Sequence, residues 1–345
     1  MYIINYIIDE TTVNRLTQNK AWLETYIPEV TKRLEKQDFN IVYDQEEGFD
    51  LMHIHMPLGR AYQRIRHSSK DRNYPIIYHG HATEDSFTIG SGARYIVKSW
   101  FRKIAAYSDL IICPSESARE YYHRLLPDHE IIQLNYGINL EKYSYSEEGR
   151  IRFRQQYDIG MDEKVVSCVA GISYRKGLNE FISIAKQNPD IKFMWVGGEY
   201  TVHPSMVLFY KVFARKGDVN LNKLPGNMLM TGYNKDVTGA LSASDIFFFP
   251  SRHETQGLAL VEAAANARPI VTRDLPVFRE WLNNGYDCLM GSSEEEFNTC
   301  IRQLADDPVL MRKLGSEARR SAEMYHNIVK TSKQLGQIYN KMLKN

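Results

Sequence analysis

Phe249-Pro-Ser-Arg-His-Glu-Thr-Gln-Gly-Leu-Ala-Leu-Val-Glu262-Ala-Ala-Ala-Asn-Ala-Arg-Pro269 is the stretch whose reading decides the fold. It leaves a short apolar run, Ile246 to Pro250, that reads as a buried strand, crosses a polar loop, Ser251 to Gly257, and enters an Ala-rich helix. A second strand-like run, Pro269 to Thr272, follows at once, and Cys288 to Met290 supplies a third. Strand, loop, helix and strand in alternation is the pattern of parallel βαβ units, and ligands of such open sheets bind at strand carboxyl ends. The loop Ser251 to Gly257 occupies one of those ends. Glu254 lies in the loop and Glu262 about one and a half turns into the helix, so both can face a ligand over the helix start. There the N–H groups of Gly257 and Leu258, with the positive end of the helix dipole, form an anion site. A carboxylate repels phosphate, so the two glutamates must address hydroxyls, and an anion site flanked by hydroxyl acceptors describes a nucleotide sugar. Two glutamates alone read more readily as solvated charges, which are favoured near any helix start.

Working outward, the same alternation extends over the chain. Tyr2 to Ile8, Asn40 to Tyr43, Leu51 to His55, Ile76 to His79, Leu110 to Pro114 and Ile131 to Leu134 form one series of strand-like runs. A polar stretch, Ser144 to Gly149, precedes a second series: Val165 to Ala170, Lys192 to Val196, Met228 to Thr231 and the three runs already named. The expected fold is α/β: two Rossmann-like domains of parallel sheet, residues 1–150 and 151–327, with a helix at 328–345 packing back on the first. Thr12 to Gln37 reads as the first crossover helix. A length of 345 residues agrees with two cores rather than one.

Composition narrows the function classes. Lys plus Arg is 43 against 42 for Asp plus Glu, so no global field draws a polyanion, and nucleic acid is not an expected partner. Cys113, Cys168, Cys288 and Cys300 match neither a disulfide scaffold nor a zinc knuckle and read as buried thiols in a reducing compartment. The N-terminal run lacks a signal peptide's basic start, and no run reaches the roughly 20 apolar residues of a spanning helix. The expected location is cytoplasmic, with peripheral attachment to the inner face of the cell membrane open. No Gly-x-Gly-x-x-Gly turn supports a nicotinamide dehydrogenase; Val196-Gly-Gly198 is a fragment of one.

Pro-Ser-x-x-Glu254-x-x-Gly-Leu-x-x-x-Glu262-Ala resembles the donor-site signature of the family 4 glycosyltransferases, retaining enzymes of the GT-B fold, in which two Rossmann-like domains face each other across a cleft. Ile172-Ser-Tyr-Arg-Lys-Gly-Leu178 resembles that family's phosphate-contacting loop, Asn135-Tyr-Gly-Ile-Asn139 its segment before the interdomain linker, and His81-Ala-Thr its active-site histidine loop. The resemblance implies that Glu262 holds the ribose hydroxyls, Glu254 the hydroxyls of the transferred sugar, and the N–H groups of Gly257 and Leu258 the phosphates. Arg175 or Lys176 would neutralise the departing diphosphate, a role that needs no metal, and His81 would hydrogen-bond donor sugar or acceptor. The family's usual partner arginine is replaced by Gly171, and its Gly-Gly loop after the first strand by Ile8-Asp-Glu-Thr-Thr-Val-Asn14. No cofactor is implied beyond the donor substrate, UDP-glucose or UDP-galactose.

Arg175-Lys-Gly, Phe193-Met-Trp-Val-Gly, Asp245-Ile-Phe-Phe-Phe-Pro-Ser and Pro269-Ile-Val-Thr-Arg-Asp-Leu-Pro are similar to the branch that adds a second sugar to glucosyl-diacylglycerol in Gram-positive bacteria, which implies a glycolipid acceptor. Soluble glycan, polysaccharide or protein acceptors, and a non-catalytic nucleotide-sugar-binding partner, are the competing readings. An anionic membrane surface is a candidate partner through Ser86 to Ser108, where Arg94, Lys98, Arg102 and Lys103 stand among Phe87, Tyr95, Ile96, Val97, Trp100, Phe101 and Ile104. Read blandly, this is a crossover helix packing its apolar stripe on its own sheet. Met206 to Lys216 is a second, weaker candidate. Glu84 and Asp85 either position an acceptor hydroxyl or cap the following helix. His53 and His55 read as structural, metal binding being set aside for want of a third ligand nearby.

Overall fold

The computed structural model describes residues 1–8, 21–55, 62–63, 65–66, 72–86, 91–199 and 221–344. The candidate helix Met206 to Lys216, residues 9–14 of the first loop, residues 12–20 of the first helix and Phe87 lie outside them. The chain divides into two compact units: one holds Met1–Ile138 and Ile328–Asn345, the other Asn139–Tyr200 and Lys216–Asn327.

In the first unit six parallel strands stand in the order β2-β1-β3-β4-β5-β6. They are β1 Tyr2–Ile7, β2 Phe39–Tyr43, β3 Leu51–Ile54, β4 Ile76–His79, β5 Leu110–Cys113 and β6 Ile131–Gln133. Every residue of β3, β4 and β5 is buried, which is why these strands read as continuous apolar runs rather than as alternation. The helix Ala21–Glu35 turns Tyr26, Ile27, Val30 and Leu34 into the core at helical spacing. Beside it the helix Ile328–Met342 buries Leu335 and Tyr339. The returning chain passes Gly137 so closely that a Cβ there would stand 2.4 Å from the Cα of Ile328, and Ile328 N donates to Ile138 O at 3.2 Å.

The second unit repeats the plan with β7 Val165–Val169, β8 Lys192–Val196, β9 Met228–Gly232, β10 Ile246–Phe249, β11 Ile270–Arg273 and β12 Leu289–Gly291. Their order is β12-β11-β10-β7-β8-β9, so successive connections run outward in opposite directions from the β7–β10 pair. That pair is the topological switch point, where a crevice opens beyond the strand carboxyl ends.

By compactness the change of unit falls between Ile138 and Asn139, a little before the expected boundary at 150. The polar stretch Ser144 to Gly149 is a helix start rather than a linker: the Ser146 hydroxyl accepts from Gly149 N and caps the helix Glu147–Gln156, which packs on Val237–Ala243. Cys113, Cys168 and Cys288 are buried, while Cys300 is half-buried on the helix Glu294–Asp306.

Arg154 fastens that first helix to the sheet. Fully buried, it donates from Nε to Ala243 O at 2.9 Å, from Nη1 to the carbonyls of Gly160, Met161 and Glu163, and pairs through Nη2 with Asp245 at 3.0 Å. Removing one member of a buried pair costs more than the pair contributes, because the remaining groups stay desolvated. Arg154→Leu should lower the unfolding free energy of the second unit by about 3 kcal/mol, measured by urea denaturation followed through the fluorescence of the buried Trp195.

Candidate active site

The loops after β7 and β10 meet at the switch point. Arg252 N donates to Arg175 O at 2.7 Å, and the Ser251 hydroxyl reaches the same carbonyl at 3.3 Å. Gly177 makes the approach possible. Its φ is +76°, a left-handed conformation that side chains disfavour, and a Cβ would stand 2.4 Å from Pro250 O.

Across this junction Lys176 Nζ lies 2.5 Å and Arg175 Nη1 3.4 Å from Glu254 Oε1, which also accepts from Ser251 Oγ at 2.6 Å. Arg175 Nη1 donates in addition to His253 O at 2.8 Å, and Lys176 sits over the Phe249 ring at 5.2 Å. Burial disfavours the Glu254 carboxylate, but the charges of Lys176 and Arg175 and the bonds from Lys176 and Ser251 outweigh it and hold the group at about 2. Glu254 is therefore ionised at any neutral pH, and the cluster of two cations and one anion keeps a net positive charge. A second carboxylate stiffens the same loops: buried Glu180 takes Arg252 and Arg273 at 2.6 Å each, and Arg252 stacks on Tyr174 at 4.3 Å.

The helix that follows is Leu258–Ala265, with Gly257, which has no capping side chain of its own, as its N-cap at φ +82°. Gly257 and Leu258 thus stand at an anion-attracting terminus, as their spacing predicted. Glu262 is buried in this helix. Its surroundings differ from those of Glu254: burial raises it from 4.5 to about 7, opposed by a hydrogen bond from Tyr143 and the charge of Lys142. Near neutral pH Glu262 is a mixture of acid and carboxylate, able to give or accept a hydrogen bond.

In the first unit His81 follows β4. Its Nδ1 meets the Tyr136 hydroxyl and its Nε2 lies 2.8 Å from His55 Nδ1, so both ring nitrogens are engaged within the unit. Asp85 pairs with Arg94, and the side chain of Glu84 lies outside the described set. A third imidazole does stand beside His53 and His55, that of His79 at the end of β4.

Sequence reasoning brought together Glu254, Arg175, Lys176, Gly257, Leu258 and Glu262 but missed their partners. Ser251 lay inside the quoted motif, and its place three residues before Glu254 was an available signal. Tyr143 and Glu180 carried none, because their contacts depend on how distant loops fold over the sheet.

Residues 149–321 match the family described as Glycosyl transferases group 1, and residues 14–142 match Glycosyltransferase Family 4. The chain belongs to the group 1 glycosyl transferases. This transferase is 29% identical over 321 residues, 91% of each chain, to the processive diacylglycerol alpha-glucosyltransferase of Acholeplasma laidlawii. It is 24% identical over 204 residues, 58% of this chain and 52% of the other, to the alpha-galactosylglucosyldiacylglycerol synthase of Streptococcus pneumoniae. Its fold is GT-B. HepE of Anabaena, solved with UDP and glucose, superposes with a TM-score of 0.76 at 16% identity over 99% of this chain and 100% of that one. Sucrose-phosphate synthase of Thermosynechococcus elongatus superposes at 0.79 with 15% identity, over 100% of both chains.

The transferase's two glutamates give opposite pH signatures. Between 4.5 and about 7 the folded chain keeps a proton on Glu262 that the unfolded chain has lost. Stability contributed at this residue therefore falls as pH rises through that window and is lowest above it. Glu262→Gln should raise the unfolding free energy by about 2–3 kcal/mol at pH 8 and leave it unchanged near pH 4, read from paired urea titrations.

Proposed function

We propose that the protein moves a hexose, glucose or galactose, from UDP to a hydroxyl of a glycolipid built on diacylglycerol, with retention at the anomeric carbon. The observation that carries this reading is the site at the β7–β10 switch point: a net-positive cluster and a glycine-capped helix N-terminus between two carboxylates of different ionisation. The diphosphate takes the helix start and the cations Arg175 and Lys176. Glu254, always ionised, accepts from hydroxyls of the hexose, and Glu262 binds the ribose hydroxyls. The bond from the anomeric carbon to the diphosphate oxygen breaks as the acceptor oxygen attacks the same face. The acceptor's proton passes to the departing phosphate, so no protein nucleophile is required. The side-chain cations offset the developing charge in place of a metal. Lipid-acting relatives support the acceptor class.

The membrane side of the proposal rests on the helix Ser91–Ala105 of the first unit. It divides its residues: Phe101, Ile104 and Ala105 are buried, as in any crossover helix, while Tyr95 and Ile96 are 75% and 59% exposed beside Arg94, Lys98 and Arg102. Exposed rings and aliphatics next to cations suit an anionic lipid surface on the inner face of the membrane. Lys103 leans over Tyr62 at 5.5 Å and Arg94 pairs with Asp85, so Lys98 and Arg102 carry the larger share of the attraction. Among the described residues no helix is long and apolar enough to cross a membrane.

Radiolabelled UDP-glucose or UDP-galactose, incubated with glucosyl-diacylglycerol vesicles, should place label in the organic phase. Glu254→Gln and Glu262→Ala should each lower that label at least about 100-fold while leaving the circular dichroism unchanged. Label confined to water-soluble glycans would replace the acceptor class. Binding to anionic vesicles should fall at least about tenfold when Arg94, Lys98, Arg102 and Lys103 all become Glu, since each basic residue near such a surface contributes about 1 kcal/mol. Unchanged binding removes the membrane role.

A further inference from the structure

The first unit holds a cluster of imidazoles that the donor chemistry does not use. His53 lies on β3, His55 just beyond its end and His79 at the end of β4; one ring nitrogen from each lies within 4.8 Å of the others, and all three residues are buried. Parallel pairing of β3 with β4, His53 against Ile77 and Ile54 against Tyr78, brings His79 to this place. We propose that His53, His55 and His79 bind a late first-row divalent metal ion, zinc foremost, within the sheet of the first unit.

Four observations support the site. His53 Nε2 and His79 Nδ1 are already 3.3 Å apart, and two nitrogens bonded to one tetrahedral zinc at about 2.0–2.1 Å stand about 3.3–3.4 Å from each other. The three rings are packed together, with centroids 4.1 Å apart for His53 and His55, 5.3 Å for His53 and His79 and 5.2 Å for His55 and His79. His53, His55 and His79 are each at most 2% exposed, so an ion held between them would be shielded from water.

The fourth observation is the support outside the ligands. His53 Nδ1 lies 2.6 Å from the Tyr339 hydroxyl, which lies 2.8 Å from that of Tyr6. With Nδ1–H donating to Tyr339 and Tyr339 donating to Tyr6, the lone pair of His53 Nε2 is left for a metal. Partners of this kind orient histidine ligands in metal sites. The donor set selects the ion. Three imidazoles without a carboxylate suit zinc, copper or nickel and exclude magnesium and calcium, which require oxygen.

The test uses the full chain, reconstituted with Zn²⁺, passed through gel filtration and analysed by atomic emission. About one zinc per chain is expected, with a shell of nitrogen neighbours near 2.0 Å in zinc K-edge absorption. His53→Gln and His79→Gln should lower the retained zinc at least about tenfold, while the exposed His123→Gln keeps it. Folded wild-type chain that retains less than about a tenth of an equivalent overturns the proposal; so does full retention by the folded His53 and His79 variants. Should those variants fail to fold, the absorption spectrum of the wild type decides, since a shell of sulfur or carboxylate oxygen rejects the site. None of these readouts involves sugar transfer, so the proposal and the transferase reading fail separately.

Discussion

A single carboxylate oxygen, Oε1 of Glu254, gathers Lys176, Arg175 and Ser251 at the carboxyl ends of β7 and β10. The second unit is arranged around that contact. Two loops from strands far apart in sequence must approach until only glycine fits at residue 177, and the backbone bond from Arg252 to Arg175 then closes them. Parallel pairing of β7 with β10 makes the loops neighbours, and the ion pairs make them one rigid wall. Without the carboxylate, two cations would face each other across a desolvated junction, which burial strongly penalises.

The two glutamates show how one residue type is given two characters by its surroundings. Glu254 is buried against cations and stays charged; Glu262 is buried in an apolar helix with one tyrosine and hovers between forms. Holding an acid in such a place opposes folding above its titration range, so the helix Leu258–Ala265 is less stable than its alanines would make it. A residue that weakens the fold in this way is better explained by what it binds than by what it packs against.

Much of this was legible in the order of residues. Strands buried on both faces, such as β3, β4 and β5, appear as apolar runs whatever their neighbours, and each of the twelve strands lies within a residue or two of an expected run. The residues proposed for the donor site could be placed from the sequence because strand, loop and helix fix them locally. Three features were not. The polarity of Ser144 to Gly149 suited a linker as well as a helix cap, and only the packing of Glu147–Gln156 distinguishes them. Tyr143 and Glu180 meet their partners through folding over long sequence separations. The third histidine was hidden in strand register: β3 and β4 are separated by 21 residues of chain, and nothing in their composition says which residues align.

The return of Ile328–Met342 to the first unit sets the order in which the two cores can be finished. Tyr339 closes on Tyr6 and His53, more than three hundred residues upstream of it in the case of Tyr6. On the ribosome the second unit, complete by Asn327, has all its residues before the first does. The portion synthesised earliest must therefore wait, with the apolar flank of its β1 and its Ala21–Glu35 helix uncovered, until translation has passed residue 339. The half made first is the half completed last, and it is this half that a chaperone would have reason to shelter.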